Sequence, residues 1–321
     1  MKRRAGLGLS GLVFLALLAA PGPAAETGLL PGAGKAAPTQ AGPVLDLGVL
    51  GFRASLPELL LLERLNASVR YDSEATMDEE WGDAYDRITV VELTAVRNRY
   101  GIFENEAARR MDVAIRGTVN LRNAVSDIEF LKRRSPALGI FLHSGFEEVA
   151  TALYADLKPR LRKGWTIRVA GHSLGAAEAI IVGMLLANDG FPVEKVLASA
   201  PPKVTDAEGW SRFAGLAVIR LAGPFDPVPF LPPRAVLYGR DPYVQGGRLL
   251  YILDGKKACV LDGAFFDDLP DGDLPGPVSG DRLDAKDHAL LSYMRRLLPK
   301  TEGLELVDQR YWRDYALPTP P

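Results

Sequence analysis

The sequence predicts a single α/β domain, a mostly parallel central sheet with helices on both faces. Three observations carry that expectation. Strand-like runs rich in β-branched residues alternate with runs of helical spacing from about residue 45 to residue 300. Neither an internal repeat nor a second break in composition interrupts this stretch before Thr301. Finally, the run "WTIRVA" passes through "GHSLG" straight into the small-residue, apolar helix "AAEAIIVGMLLAND", the strand–turn–helix unit from which parallel sheets are built.

Taken in order, "FRASLPELLLLERLNASVRY" has the apolar spacing of a helix that packs on the body of the domain. The segments "ITVVELTAV", "YGIFEN" and "MDVAIRG" read as strands, the last two joined by the turn "NEAARR". "NAVSDIEFLKRR" and "GFEEVATALYADLKPRLRKG" follow as helices with mixed charge on one face. After the strand "WTIRVAG" and the helix that ends at Gly190 come two further strands, "VEKVLASA" and "LAVIRLAG". They are separated by the helical "DAEGWSRF". A late hairpin, "GRLLYIL" and "KACVL" around "DGK", precedes a closing helix in "DHALLSYMRRLL". Residues 301–321 form a tail that packs loosely across the domain.

Composition narrows the class of function. With 38 basic and 40 acidic residues the net charge is −2, which provides no electrostatic footprint for nucleic acid or an anionic membrane. Cys259 is the only cysteine, so an intramolecular disulfide and a cysteine metal cluster are both excluded. Residues 1–25 read as a secretory signal: basic "MKRR", an apolar run from Ala5 to Ala20, then small residues around Ala24 and Ala25. An uncleaved membrane anchor is the rival reading, although the apolar run is short for a span. Residues 26–44 are an Ala/Pro/Gly-rich linker with little to bury.

The turn "GHSLG" is where chemistry is expected. A serine held on a tight strand-to-helix turn has a strained backbone and needs small neighbours, and it meets the free N–H groups of a helix N-terminus. That makes Ser173 the candidate nucleophile. A serine needs a base and an orienting acid. Of the three histidines, His172 lies inside the turn and His143 precedes it, which leaves His288 as the base. Fifteen aspartates follow Ser173. Asp226, in "LAGPFDPVPFLPP", stands out because an apolar strand ends there in a rigid proline-rich turn at the sheet edge where ligands bind. Asp287 and Asp254 remain rivals. The N–H of Leu174 is one candidate oxyanion donor. The strand end Arg116-Gly117-Thr118 offers another, and a plain strand-end turn explains those three residues equally well.

Together, "AIRGTVNLRNAVSD", "LHSGF", "VAGHSLG", "SAPPKV", "RLAGPFDPVPFLPP" and "DHALLSY" resemble the class 3 (fungal-type triacylglycerol) lipases of the α/β-hydrolase fold, in order and spacing across roughly residues 50 to 297. The resemblance implies a triad of Ser173, Asp226 and His288, with Thr118 and Leu174 as the oxyanion hole. It also implies a lid at Val119 to about Ser126, and a packing role for His143 in "HSGF". Ala124 stands in that lid where a tryptophan is common in the fungal enzymes, and Ala176 replaces a frequent glycine. Phe265 and Phe266, in a Gly/Asp/Pro-rich stretch before His288, either line an acyl pocket or anchor the loop.

The function expected from these residues is that of an exported serine carboxylester hydrolase, a triacylglycerol lipase or phospholipase-like esterase. It needs neither metal nor organic cofactor. Its partners would be an ester or lipid substrate and, transiently, lipid surfaces, with no nucleic acid and no obligate protein partner. Aromatic-acid esters fall within the same chemistry. The alternative is an exported or membrane-tethered binding protein that keeps a hydrolase scaffold without catalysis.

Overall fold

A computed structural model describes residues 44–46, 53–117, 131–232, 242–262 and 286–308. The expected signal segment, most of the expected linker, Thr118, the expected lid stretch with Ala124, Phe265 and Phe266, and the end of the tail lie outside the described residues.

A short antiparallel pair, β1 (Val44–Asp46) with β2 (Arg53–Ser55), leads into helix α1 (Leu56–Tyr71). The start of α1 is fixed by Ser55, whose side chain accepts from Glu58 N, and by a proline in the first turn. Helix α2 (Glu74–Trp81) follows, capped by Ser73. Then come strands β3 (Arg87–Leu93), β4 (Asn98–Asn105) and β5 (Arg110–Ile115), which pair antiparallel in succession. Beyond them lie β6 (Lys132–Arg134), β7 (Phe141–His143) and helix α3 (Ser144–Leu157). The central unit is β8 (Thr166–His172), α4 (Leu174–Asn188) and β9 (Val193–Ser199). The chain continues through α5 (Ala207–Arg212), β10 (Val218–Ala222), β11 (Arg248–Ile252), β12 (Lys257–Asp262), α6 (Leu290–Glu302) and β13 (Glu305–Leu306).

Nine of these strands form one sheet in the order β13-β12-β11-β10-β9-β8-β5-β4-β3. Its middle is parallel from β5 through β8, β9 and β10 to β11, and antiparallel pairs flank that block. Side chains of the central strands alternate between two cores, as the period of a strand requires. Ile167, Val169, Val196 and Ala198 join α3 and α4 on one face, whereas Ala170 and Leu197 join α1, α2 and α6 on the other. With helices on both faces, this is an α/β-hydrolase fold.

One expected helix is corrected. The end of "NAVSDIEFLKRR", Lys132–Arg134, is a strand that pairs antiparallel with β7. Its basic residues are satisfied there by tertiary partners: Lys132 Nζ donates to Asp206 at 2.7 Å, and Arg133 faces Glu147. Nor does the sheet stop at residue 300, because β13 adds Glu305 and Leu306 to its edge.

Helix α1 is bolted to the central strands by buried charges. Arg168 on β8 reaches Asp112 at 2.5 Å and Glu58 at 2.6 Å, while Lys195 on β9 reaches Glu58 at 2.7 Å. Tyr85 donates to the same Asp112 at 2.6 Å. Charges this deep are tolerated because each has an opposite partner. The register between α1 and the strand carrying Ser173 is thereby fixed.

Candidate active site

Ser173 follows the last residue of β8 and precedes α4, with φ 62° and ψ −126°. Positive φ in a serine is strained, and the surroundings must enforce it. They do so through close backbone contact. A Cβ on Gly171 would lie 2.1 Å from Gly175 O, and one on Gly175 would lie 2.5 Å from Ile115 O and 2.8 Å from Gly117 N. The two glycines of "GHSLG" are therefore steric requirements of the turn. Ser173 N also donates to Ser199 O at 2.9 Å, which ties the turn to β9.

The structure brings Ser173, His288 and Asp226 together. His288 Nε2 lies 2.8 Å from Ser173 Oγ, and its Nδ1 lies 2.9 Å from both carboxylate oxygens of Asp226. All three residues are buried. Asp226 follows β10 and His288 precedes α6, so the array assembles at the carboxyl edge of the parallel strands. Burial opposes the Asp226 charge. The neighbouring His288 imidazole, the Tyr293 hydroxyl and the Val228 N–H outweigh it and hold the carboxyl below the usual range. The imidazole is thus presented as acceptor to Ser173 with a carboxylate behind it.

Among the rivals for the acid, Asp287 accepts instead from Arg296 at 2.9 Å and from Phe225 N at 3.3 Å. It joins the loop before His288 to the loop carrying Asp226. Asp254 is largely exposed and faces Arg296. Leu174 is the first residue of α4, so its N–H has no acceptor one turn back in the helix and is available near Ser173. The neighbouring loop reaches this place through Gly117, where a Cβ would stand 3.5 Å from Ser173 Cβ. Its carbonyl accepts from Arg70 of α1 at 3.2 Å. Thr118 itself lies outside the described residues.

Two histidines serve other purposes. His143 caps α3 and stacks on Phe146 with ring centroids 3.9 Å apart, and burial pushes its pKa down to about 4. His172 sits beneath His288, with ring centroids 5.1 Å apart, and donates from Nε2 to His288 O at 2.8 Å. Sequence reasoning missed Tyr293. Its hydroxyl donates to Asp226 Oδ2 at 2.6 Å and accepts from Gly223 N at 3.1 Å, and burial raises its pKa far above the usual phenol value. The one signal available was its position in the helix just beyond His288.

Residues 112–236, which carry Ser173 and Asp226, match the family model described as Lipase (class 3). Over this stretch the chain is similar to the class 3 lipases. Among similar proteins, the secreted mono- and diacylglycerol lipase 1 of Fusarium solani is 30% identical over 171 residues, covering 50% of this chain and 51% of that protein. The secreted mono- and diacylglycerol lipase A of Penicillium cyclopium is 31% identical over 129 residues, 37% of this chain and 42% of its own. The chain thus spans about half the length of the curated relatives it matches. Solved structures share the fold. The MDLA structure from Penicillium cyclopium superposes with a TM-score of 0.56 at 21% identity, covering 75% of this chain and 96% of that one. Lipase II from Rhizopus niveus gives 0.53 at 18% identity, with 63% and 83% covered.

Proposed function

We propose that this chain is an exported serine carboxylester hydrolase acting on lipid or other apolar acyl esters. The observation that carries the reading is the buried line from Ser173 Oγ through the His288 imidazole to Asp226, at a strained strand-to-helix turn. In the first half-reaction Ser173 Oγ bonds to the ester carbonyl carbon while its proton passes to His288 Nε2. The carbonyl oxygen takes up the electron pair and is met by the N–H of Leu174 and by Thr118. Collapse of this intermediate breaks the bond to the alkoxy oxygen, and His288 returns the proton to the leaving alcohol. Water, deprotonated by the same imidazole, then attacks the acyl-enzyme and releases the carboxylic acid, restoring Ser173. Asp226, held ionised, orients the imidazole and stabilises its cation.

The preference for an apolar acyl group is supported by the apolar character of "LAGPFDPVPFLPP" around Asp226 and by the relatives' names as mono- and diacylglycerol lipases. Export is supported by the pattern of residues 1–25 and by the word "secreted" in those names. Among the described residues no helix is long and apolar enough to cross a membrane.

The test is hydrolysis of p-nitrophenyl esters from acetyl to palmitoyl by the wild-type chain and by Ser173→Ala. The variant should lose at least about a thousandfold in kcat, and the wild-type optimum should fall on a long or medium chain. Folded wild-type protein that leaves every ester intact, or a variant as active as the wild type, would overturn the reading.

A further inference from the structure

Helix α1 carries a carboxylate where a leucine would be expected. Glu63 lies within "LLLLERL" and is fully buried, with Leu59, Leu62 and Leu65 in the same core. An acid in such a place is costly unless its oxygens are engaged. One oxygen accepts from Asn66 Nδ2 at 3.0 Å. The other lies 2.7 Å from Ser199 Oγ, and Ser199 Oγ is 3.3 Å from His172 Nδ1. From the far side of that ring, Nε2 reaches the main-chain oxygen of His288 at 2.8 Å. Glu63, Ser199, His172 and His288 are all buried, so a continuous polar line runs through the apolar core from α1 to the base.

The protons of this line can be counted. A carbonyl only accepts, so His172 Nε2 carries a proton. Ser199 has one hydroxyl proton for two neighbours, Glu63 and His172 Nδ1. Both contacts are filled only if the Glu63–His172 pair holds one proton more than a carboxylate and a neutral imidazole. Either placement leaves the pair without net charge, as its burial favours.

We infer that Glu63, Ser199 and His172 are positioning residues, a proton-sharing line that holds the main chain of His288 so that its ring stays aligned between Asp226 and Ser173. The inference rests on the proposed serine chemistry for its kinetic consequence, but not for its geometry. The line is also seated rigidly: Glu58, five positions before Glu63 on α1, is pinned by Arg168 and Lys195, and Ser199 O receives the Ser173 N–H. The side chain of Ser199 therefore serves the base, and its backbone serves the nucleophile.

Two readouts test it on the full chain. The protein has only three histidines, so the ring nitrogens of 15N-histidine-labelled protein can be assigned by substituting His143 and His172 in turn. In the wild type, His172 Nε2 should be protonated and Nδ1 displaced from the position of a free acceptor nitrogen. Ser199→Ala should return Nδ1 to that position. Glu63→Gln should not, because its amide donates to Ser199 and its oxygen still accepts from Asn66. In ester hydrolysis, Ser199→Ala and Glu63→Leu should lower kcat about tenfold with KM within about twofold, and Glu63→Gln should restore kcat to within about threefold. An unprotonated Nε2, an Nδ1 indifferent to Ser199→Ala, or a Gln variant as impaired as the Leu variant would overturn the inference. Should Ser173→Ala hydrolyse esters like the wild type, the proposed function falls, and the nitrogen spectra still decide the line on their own.

Discussion

Glu178 offers a sharp energetic test of the fold around Ser173. It lies on α4, five positions beyond Ser173, and is buried, with Asn98 Nδ2 donating to it at 2.5 Å. Burial outweighs that bond and the field of Arg116, and pushes its pKa from the ordinary 4.5 up to about 8. The folded chain therefore keeps the acid protonated at neutral pH, whereas the unfolded chain releases the proton above the ordinary carboxylate range. Because the unfolded state binds fewer protons between those two values, stability falls as pH rises through this window. At about 1.4 kcal/mol per unit, the cost is below about 1 kcal/mol near pH 5, on the order of 3 kcal/mol at pH 7 and on the order of 4 to 5 kcal/mol at pH 8.5. Glu178→Gln mimics the neutral acid, and its amide oxygen still accepts from Asn98. Urea unfolding of both proteins at about pH 5 and about pH 8.5 isolates the effect, since every other titrating group cancels in the difference. The variant should match the wild type at the lower pH and exceed it by roughly 3 kcal/mol or more at the higher. A difference that is the same at both values, or a less stable variant at the higher pH, would refute the assignment of a neutral buried acid.

Other perturbations follow from the same contacts. Tyr293→Phe removes a donor to Asp226 and the acceptor for Gly223 N, and should cost about 1–3 kcal/mol in urea unfolding. The depressed Asp226 pKa would then rise. The stabilisation it contributes, present above the ordinary carboxylate range and lost as pH falls through the folded value, would vanish at a higher pH, and the acid limb of kcat/KM should move the same way. Gly171→Ala places a methyl 2.1 Å from Gly175 O, where only backbone could give way; a loss of about 4 kcal/mol or more, read as Tm and soluble yield, is expected. Arg168→Met takes the nearest cation from Asp112, leaving it the Tyr85 hydroxyl and Arg110 at 3.5 Å, and should cost about 3 kcal/mol in unfolding while leaving kcat at moderate temperature near wild type.

Much of this was legible in the chain because it rested on local geometry. The Gly-x-Ser-x-Gly turn between a β-branched strand and a small-residue helix announces its own backbone, and the structure adds the reason, contacts too short for any Cβ. Asp226 was visible because an apolar strand ends there in a stiff Asp-Pro turn. His288 emerged through the scarcity of histidines, since the other two lie before Ser173. Tyr293, Ser199 and Glu63 were not legible, because each acts across the fold. Ser199 and Glu63 are 136 positions apart and meet only once α1 is laid on the sheet. A carboxylate amid leucines was a signal of a buried partner, but nothing local says which partner. Strand β6 was hidden for a similar reason. Its Lys-Arg-Arg reads as the end of a charged helix until Asp206 and Glu147 arrive from elsewhere.

Whether the fold makes Ser173 a nucleophile through His288 is decided by covalent trapping. The full chain would be treated with a fluorophosphonate and its intact mass and peptides analysed beside His288→Ala. The wild type should carry a single stoichiometric adduct on Ser173, and in the variant the adduct should form at least about a hundredfold more slowly. An adduct on another serine, or equal labelling of both proteins, would contradict it.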